Sequence, residues 1–331
     1  SIADTNSNLL FYGNTRSGAG GLTSGLIWNK NDQLMLEGDS IAGGGWYHEL
    51  VIIPNPVDDS LFYVFSIGVT ISFGLKYSIV NMRGDNGLGE VVQKNITLLN
   101  NIRLVDCLTA IKHGNGRDWW IMVYRYAGDK YLKLLLTPNG ISPPIYQQIG
   151  PRLNYCDLAQ AVFSPQGDKY AIADKANGLL FMEFDRCSGT LSNPIQVLIN
   201  DTAIARGAAF SASGRYLYVS SSRYLYQFDT WSSNFAGSQD TVAVWDGFYS
   251  TTFPLATTFY LSQLAPDNKI YINSPNSVKT LHVINFPDSG GAACDVCQHC
   301  ISLPTYNAFT IPNHPNYFLG EIGRASCRER V

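Results

Sequence analysis

Between residues 161 and 197, four short apolar or alternating runs (161–163, 170–173, 179–184 and 195–197) are separated by Pro-Gln-Gly-Asp, Lys-Ala-Asn-Gly and Arg-Cys-Ser-Gly. Each separator is a turn by composition, because Gly, Asn and Asp tolerate the backbone angles that tight reversals need. Alternation with a period of two over runs this short predicts four antiparallel strands in a meander, the unit of a β-propeller blade. The turn at Phe163-Ser164-Pro165-Gln166-Gly167 recurs along the chain. Related strand-turn-strand units are IADTNSNLLFYG from Ile2, FSASGRYLYVS from Phe210 and LAPDNKIYIN from Leu264, with looser copies IIPNPVDDSLFYVF from Ile52 and IKHGNGRDWWIMVY from Ile111. Third strands follow, such as GLKYSIVNM from Gly74 and KYLKLLLTPNG from Lys130, then weaker fourth strands at 90–93, 145–149 and 241–244. Helical periodicity over ten or more residues is absent.

The spacing of the units suits propeller blades rather than solenoids of shorter repeat. One strand pair cannot bury its apolar face alone, so the units must pack on one another. The expected fold is all-β, a single propeller domain over residues 1–320, with six near-complete blades at 1–45, 46–105, 106–155, 156–203, 204–255 and 256–304. Residues 305–318, containing FTIPNHPNYF from Phe309, are expected to supply the first strand of a seventh blade, with its missing strands upstream of Ser1 and the ring open or imperfectly closed. The last eleven residues, EIGRASCRERV, fit no strand pattern and read as a translated sequencing-library adapter, a non-native tail over 321–331.

Composition narrows the function classes. Aromatic residues make up 12% and charged residues only 15% of the 331, which suits strands with one buried and one neutral polar face. The net charge of −3, with Lys and Arg scattered, lacks the basic footprint of a nucleic-acid binder. No apolar run approaches the roughly 18 to 20 residues of a membrane-spanning helix.

Candidate chemistry is sparse. Six cysteines remain without Cys327: Cys107, Cys156, Cys187, Cys294, Cys297 and Cys300. An even number in a β-rich chain fits disulfides, whose pairing the sequence leaves open. The cluster Cys294, Cys297, His299 and Cys300 has ligand types for zinc or iron–sulfur, yet no second ligand pair stands at a fixed distance, so disulfides or loop thiols are the better reading and no metal or other cofactor is called for. His113 to Trp120, HGNGRDWW, holds acid–base residue types at a hairpin turn, where a Trp pair entering a strand packs between blades. Arg83-Gly84-Asp85-Asn86-Gly87 lacks the EF-hand spacing and reads as a Gly-rich hairpin. The Gly-x-Ser-x-Gly, HExxH, dinucleotide-binding and Walker patterns are absent. Asn95 and Asn200 head formal glycosylation sequons.

The runs DTNSNLLFYG, GLIWNKNDQLM, YSIVNMRGDNGLGEVV, HGNGRDWW, FSPQGDKYAIA, FDRCSGTLSNP, APDNKIYI and GAAC together resemble a family of bacterial exported WD-repeat-like β-propellers, across nearly all of residues 3–318. That resemblance implies a surface or secreted interaction module, often followed by a type IX secretion sorting domain, with no catalytic residues to transfer. The expected partner is a protein or glycan at the bacterial cell surface, bound by a monomer through loops at one mouth of the ring. Candidate ligand-binding residues are Trp46, Tyr47, His48, Arg117 and Trp119. The rival is a propeller enzyme of the lactonase or glycan-cleaving type, which needs acids or His on the innermost strands. Those strands read HELVIIP, LTAIKHG, QAVFSPQ, GAAFSAS and LSQLAPD, and they offer His48, Glu49, Lys112 and His113 but no repeated acid. A purely structural surface role is the third reading.

Overall fold

The computed structural model describes residues 1–15, 21–44, 48–68, 73–126, 128–153, 158–251, 254–323 and 327. Among them, regular structure through residue 323 is strand apart from three short 3₁₀ turns, as the runs of Val, Ile, Tyr and Phe broken by Gly, Asn and Asp dictate. Among the described residues, no helix is long and apolar enough to cross a membrane.

Six antiparallel sheets follow one another in chain order, each running outward from its first strand. Blade 1 is β1 (Ile2–Ala3), β2 (Leu9–Gly13) and β3 (Ile27–Asn29); residues 34–41 take its outer position through isolated bridges at Trp28–Leu34 and Gly25–Ile41. Blade 2 is β4 (Leu50–Pro54), β5 (Leu61–Ile67), β6 (Leu75–Asn81) and β7 (Glu90–Leu99). In blade 3, β8 (Thr109–Lys112), β9 (Trp119–Tyr124) and β10 (Lys130–Thr137) precede an outer position shared by β11 (Gly140–Ile141) and β12 (Ile145–Gln148). Blade 4 is β13 (Gln160–Phe163), β14 (Lys169–Asp174), β15 (Gly178–Asp185) and β16 (Thr190–Val197). Blade 5 comprises β17 (Arg206–Phe210), β18 (Tyr216–Ser221), β19 (Tyr224–Asp229) and β20 (Asp240–Val244). Blade 6 holds β21 (Ser262–Leu264), β22 (Ile270–Ile272), β23 (Val278–Ile284) and the long outer strand β24 (Val296–Asn307).

The first strands β4, β8, β13, β17 and β21 touch in that order around a central axis, which makes the arrangement a propeller. Apolar residues at alternate strand positions fill the spaces between blades. Phe11 and Phe62 meet edge to face between blades 1 and 2. Trp119 lies with Phe65 and Leu132 between blades 2 and 3, Trp120 with Tyr170 and Met182 between 3 and 4, Phe181 with Phe228 between 4 and 5, and Tyr218 with Ile270 between 5 and 6. Burying side chains of this size stabilises by about 1.5–3 kcal/mol each. Close approach of the first strands demands small residues: a Cβ on Gly207 would lie 2.2 Å from the carbonyl oxygen of Tyr260.

The seventh blade expected from residues 305–318 is not formed. Its beginning, through Asn307, is the end of β24, and residues 308–320 contain no strand. Pro312 and Pro315 carry no N–H to give to a sheet ladder, so this segment cannot be an interior strand. It crosses the axis instead. Asn313 Nδ2 donates to the carbonyls of Leu108 at 2.8 Å and Leu50 at 3.2 Å, Asn316 Nδ2 to that of Pro165 at 2.8 Å, and the Tyr317 hydroxyl to that of Ile52 at 2.8 Å. Four side-chain bonds thus tie blades 2, 3 and 4 to one strap.

Cys297 is bonded to Cys300 and Cys187 to Cys327, while Cys107 and Cys294 are buried. Cys156 lies outside the described residues. Among the described residues, no three metal-ligating side chains converge. Cys294 packs into the core beside Tyr218, and His299 turns to Asp246, so the cluster of Cys294, Cys297, His299 and Cys300 does not share a centre.

Candidate functional site

Around the axis, the first strands leave a cavity of about 440 Å³, bounded on one side by residues 313–318. Its lining comes from β8, β13, β17 and β21 and the turns after them: Thr109, Ala161, Ser164, Ala209, Ser262, Gln263 and Asn268 among others. Among its described lining residues there is no carboxylate, ammonium, guanidinium or thiol. A second cleft of about 800 Å³ opens between blade 1 and residues 307–313, walled by Leu9, Tyr12, Leu50, Ile52, Phe309 and Ile311. The interblade clusters found elsewhere have no counterpart here among the described residues. His48 and Asn313 line both spaces, and Glu49 lines the cleft.

His48 stands just before β4 and is only 3% exposed. Gln160 fixes its surroundings. On β13, the Gln160 amide donates to the Ser262 carbonyl at 2.7 Å and accepts from the N–H groups of Ala208 and Ser262, both at 3.0 Å, which joins the first strands of blades 4, 5 and 6. The same Nε2 faces His48 Nε2 at 3.4 Å. An amide nitrogen only donates, so this contact makes His48 Nε2 the acceptor and places the ring proton on Nδ1. His48 Nδ1 is buried and has no hydrogen-bond partner among the described residues. Desolvation, and then the neighbouring His314, lower the His48 pKa to about 4. His314 is likewise lowered to about 4 by desolvation, and its Nε2 lies 2.9 Å from Ser1 Oγ. Both imidazoles are therefore neutral at pH 7, far from the pKa of an efficient general acid or base there.

The other residues singled out from the sequence do not gather at this point. Trp46 and Tyr47 lie outside the described residues. Trp119 is 1% exposed, packed in the core at the start of β9 with its ring edge-on to Tyr317, and so is no loop residue open to a ligand. Arg117 is spent on Asp118 at 2.7 Å in the turn between β8 and β9. His113 is buried, with Nε2 on the Cys187 carbonyl and Nδ1 accepting from Asn115 N–H, and Lys112 sits over the Trp119 ring. Gln160 and Asn313 were not marked by sequence; a Gln at the head of an apolar strand was the available signal for the first, and Asn313 carried none beyond its proline neighbours.

No protein-family model matches the chain, and no curated protein does. Solved structures similar to it include a presumed 6-phosphogluconolactonase from Bacteroides uniformis, at 12% identity and a TM-score of 0.50 over 90% of this chain and 98% of that one. An auxiliary nutrient binding protein from Bacteroides thetaiotaomicron shares 10% identity with a TM-score of 0.47 over 83% of this chain and 65% of that one. The Dos1 propeller shares 11% identity with a TM-score of 0.48 over 86% and 66%. At this identity the likeness is one of fold.

Proposed function

We propose that this propeller is a binding module for a neutral glycan, displayed outside a bacterial cell, with the ligand seated where the axial cavity meets the cleft at His48. The observation that carries the reading is His48, a residue of the wall of both spaces whose buried Nδ1–H has no hydrogen-bond partner among the described residues. A buried donor left unpaired costs about 1–3 kcal/mol, which an acceptor oxygen on a ligand would recover. Hydroxyl and amide groups around it suit a polyhydroxylated, uncharged ligand, since they exchange hydrogen bonds without a charge to neutralise. The resemblance drawn from the sequence adds the setting, an exported surface protein reached by a type IX route and acting without catalysis.

The test is calorimetric titration of neutral oligosaccharides into the protein and into His48→Phe, which keeps the ring volume and removes the donor. Binding at least about tenfold weaker in the variant, at unchanged unfolding midpoint, is expected for a lost ligand hydrogen bond of roughly 1.4 kcal/mol. Equal affinity in both would sink the reading. The alternative, a lactone- or glycan-cleaving enzyme, is favoured by the buried Glu49 carboxylate in the same cleft. It requires turnover that Glu49→Gln abolishes.

A further inference from the structure

The outer edge of blade 6 carries a feature that the glycan reading leaves unused. Along β23 and β24 the ladder pairs Leu281 with Ile301 and Val283 with Cys297, so one residue, His282, stands opposite three, Gln298, His299 and Cys300. This is a special bulge of three residues against one, and the Cys297–Cys300 disulfide closes it. His299, inside the closed loop, has a left-handed backbone with φ of 42°, and Asp295 just before it has φ of 52°. Left-handed geometry is costly for residues with a Cβ unless the surroundings impose it.

The bulge reaches across to blade 5. Gln298 Nε2 donates to the Val244 carbonyl at 2.8 Å and its Oε1 accepts from Asp246 N–H at 3.1 Å. His299 Nε2 meets Asp246 Oδ2 at 2.7 Å, and its ring packs on Phe248 at 4.3 Å between centroids. These contacts anchor the start of the long connection from β20 to β21. Cys300 is exposed and Cys297 half-buried, whereas Cys107 and Cys294 are buried and burial pushes the Cys294 thiol pKa up. Disulfide stabilisation by chain entropy grows with the length of the loop closed, so a bond across two intervening residues is weakly protected in that way.

We propose that Cys297–Cys300 is a thiol–disulfide exchange site whose opening releases blade 5's outer rim. A thiolate of an external dithiol attacks Cys300 Sγ, breaks the S–S bond and expels Cys297 Sγ as a thiolate. The reductant's second thiolate then attacks its own sulfur in the mixed disulfide and releases Cys300 Sγ. The chain gains two electrons and, at neutral pH, two protons; the dithiol leaves as a disulfide. Without the clip, the left-handed residues relax, and the Gln298 and His299 links to Val244 and Asp246 weaken.

The probe is dithiothreitol added to the native protein, read by differential alkylation with peptide mass spectrometry and by amide hydrogen exchange. Cys297 and Cys300 are expected to become alkylated together while Cys107 and Cys294 stay protected. Exchange across 244–250 should rise about fivefold or more, with 169–185 in blade 4 unchanged, as local opening requires. Oxidation by oxidised dithiothreitol should restore protection, and Cys297→Ser/Cys300→Ser should show the raised exchange without reductant. The proposal is overturned if the pair resists reduction until the whole domain unfolds, or if it is reduced with no change at 244–250. Should the double variant fail to fold, the wild-type response to reductant alone decides.

Discussion

Gln160 shows how much of the ring can hang on one side chain. Its amide holds Ala208 N–H, Ser262 N–H and the Ser262 carbonyl, three backbone groups that no water reaches, and it orients His48 as well. Gln160→Ala leaves all three without partners. At about 1–3 kcal/mol for each buried unsatisfied group, partly relieved by relaxation, a loss of about 3 kcal/mol or more is expected in denaturant unfolding. A loss below about 1 kcal/mol would mean that these groups find other partners. At this scale the sequence was least informative. His48 was marked as a loop residue, and its burial and orphaned nitrogen depend on Gln160, which lies 112 positions away. Trp119 was marked as an aromatic loop residue, but a large apolar side chain at a strand position signals a core residue.

Strands and turns were far more readable than sites. The pattern placed β13, β14 and β15 within a residue or two, because period-two alternation and Pro-Gln-Gly-Asp or Lys-Ala-Asn-Gly turns are local properties. Outer strands were underestimated: β16 begins at Thr190, well before the apolar run at 195–197, because its ladder shifts between Phe181 and Glu183 and its polar residues face solvent. The strap over 308–320 misled for a different reason. Its aromatic and apolar residues resemble a strand, yet they are spent on other blades, and only the prolines said so. Since Tyr317 both bonds to the Ile52 carbonyl and meets Trp119 edge to face, Tyr317→Ala should lower stability by about 3–5 kcal/mol, whereas Tyr317→Phe should cost only about 1 kcal/mol. Equal effects of the two substitutions in thermal unfolding would show that the strap's ring packing carries nothing.

Over the whole molecule, buried histidines set the response to acid. His48 and His282 fall from 6.5 to about 4 through desolvation, and His314 does so as well. In the unfolded chain they take up protons near pH 6.5, while the folded protein refuses them until about pH 4. Stability from this source is thus complete above pH 7 and lost as pH falls through that window, by about 3 kcal/mol each for His48 and His282 at pH 4. Urea unfolding at pH 7, 5.5 and 4.5 should give steadily lower midpoints; a flat profile would mean that these rings meet water in the folded state. The six-blade organisation itself followed from repetition, since each copy reports on the same packing problem. Closure could not be read in that way, because it depends on how the first and last units meet.

A crystal structure of the protein with the tightest-binding neutral oligosaccharide tests the glycan assignment most directly. The expected result is a sugar oxygen about 3 Å from His48 Nδ1, with the chain of the ligand running between the axial cavity and the cleft beside blade 1. Density on another surface, or a cleaved product beside Glu49, would contradict it.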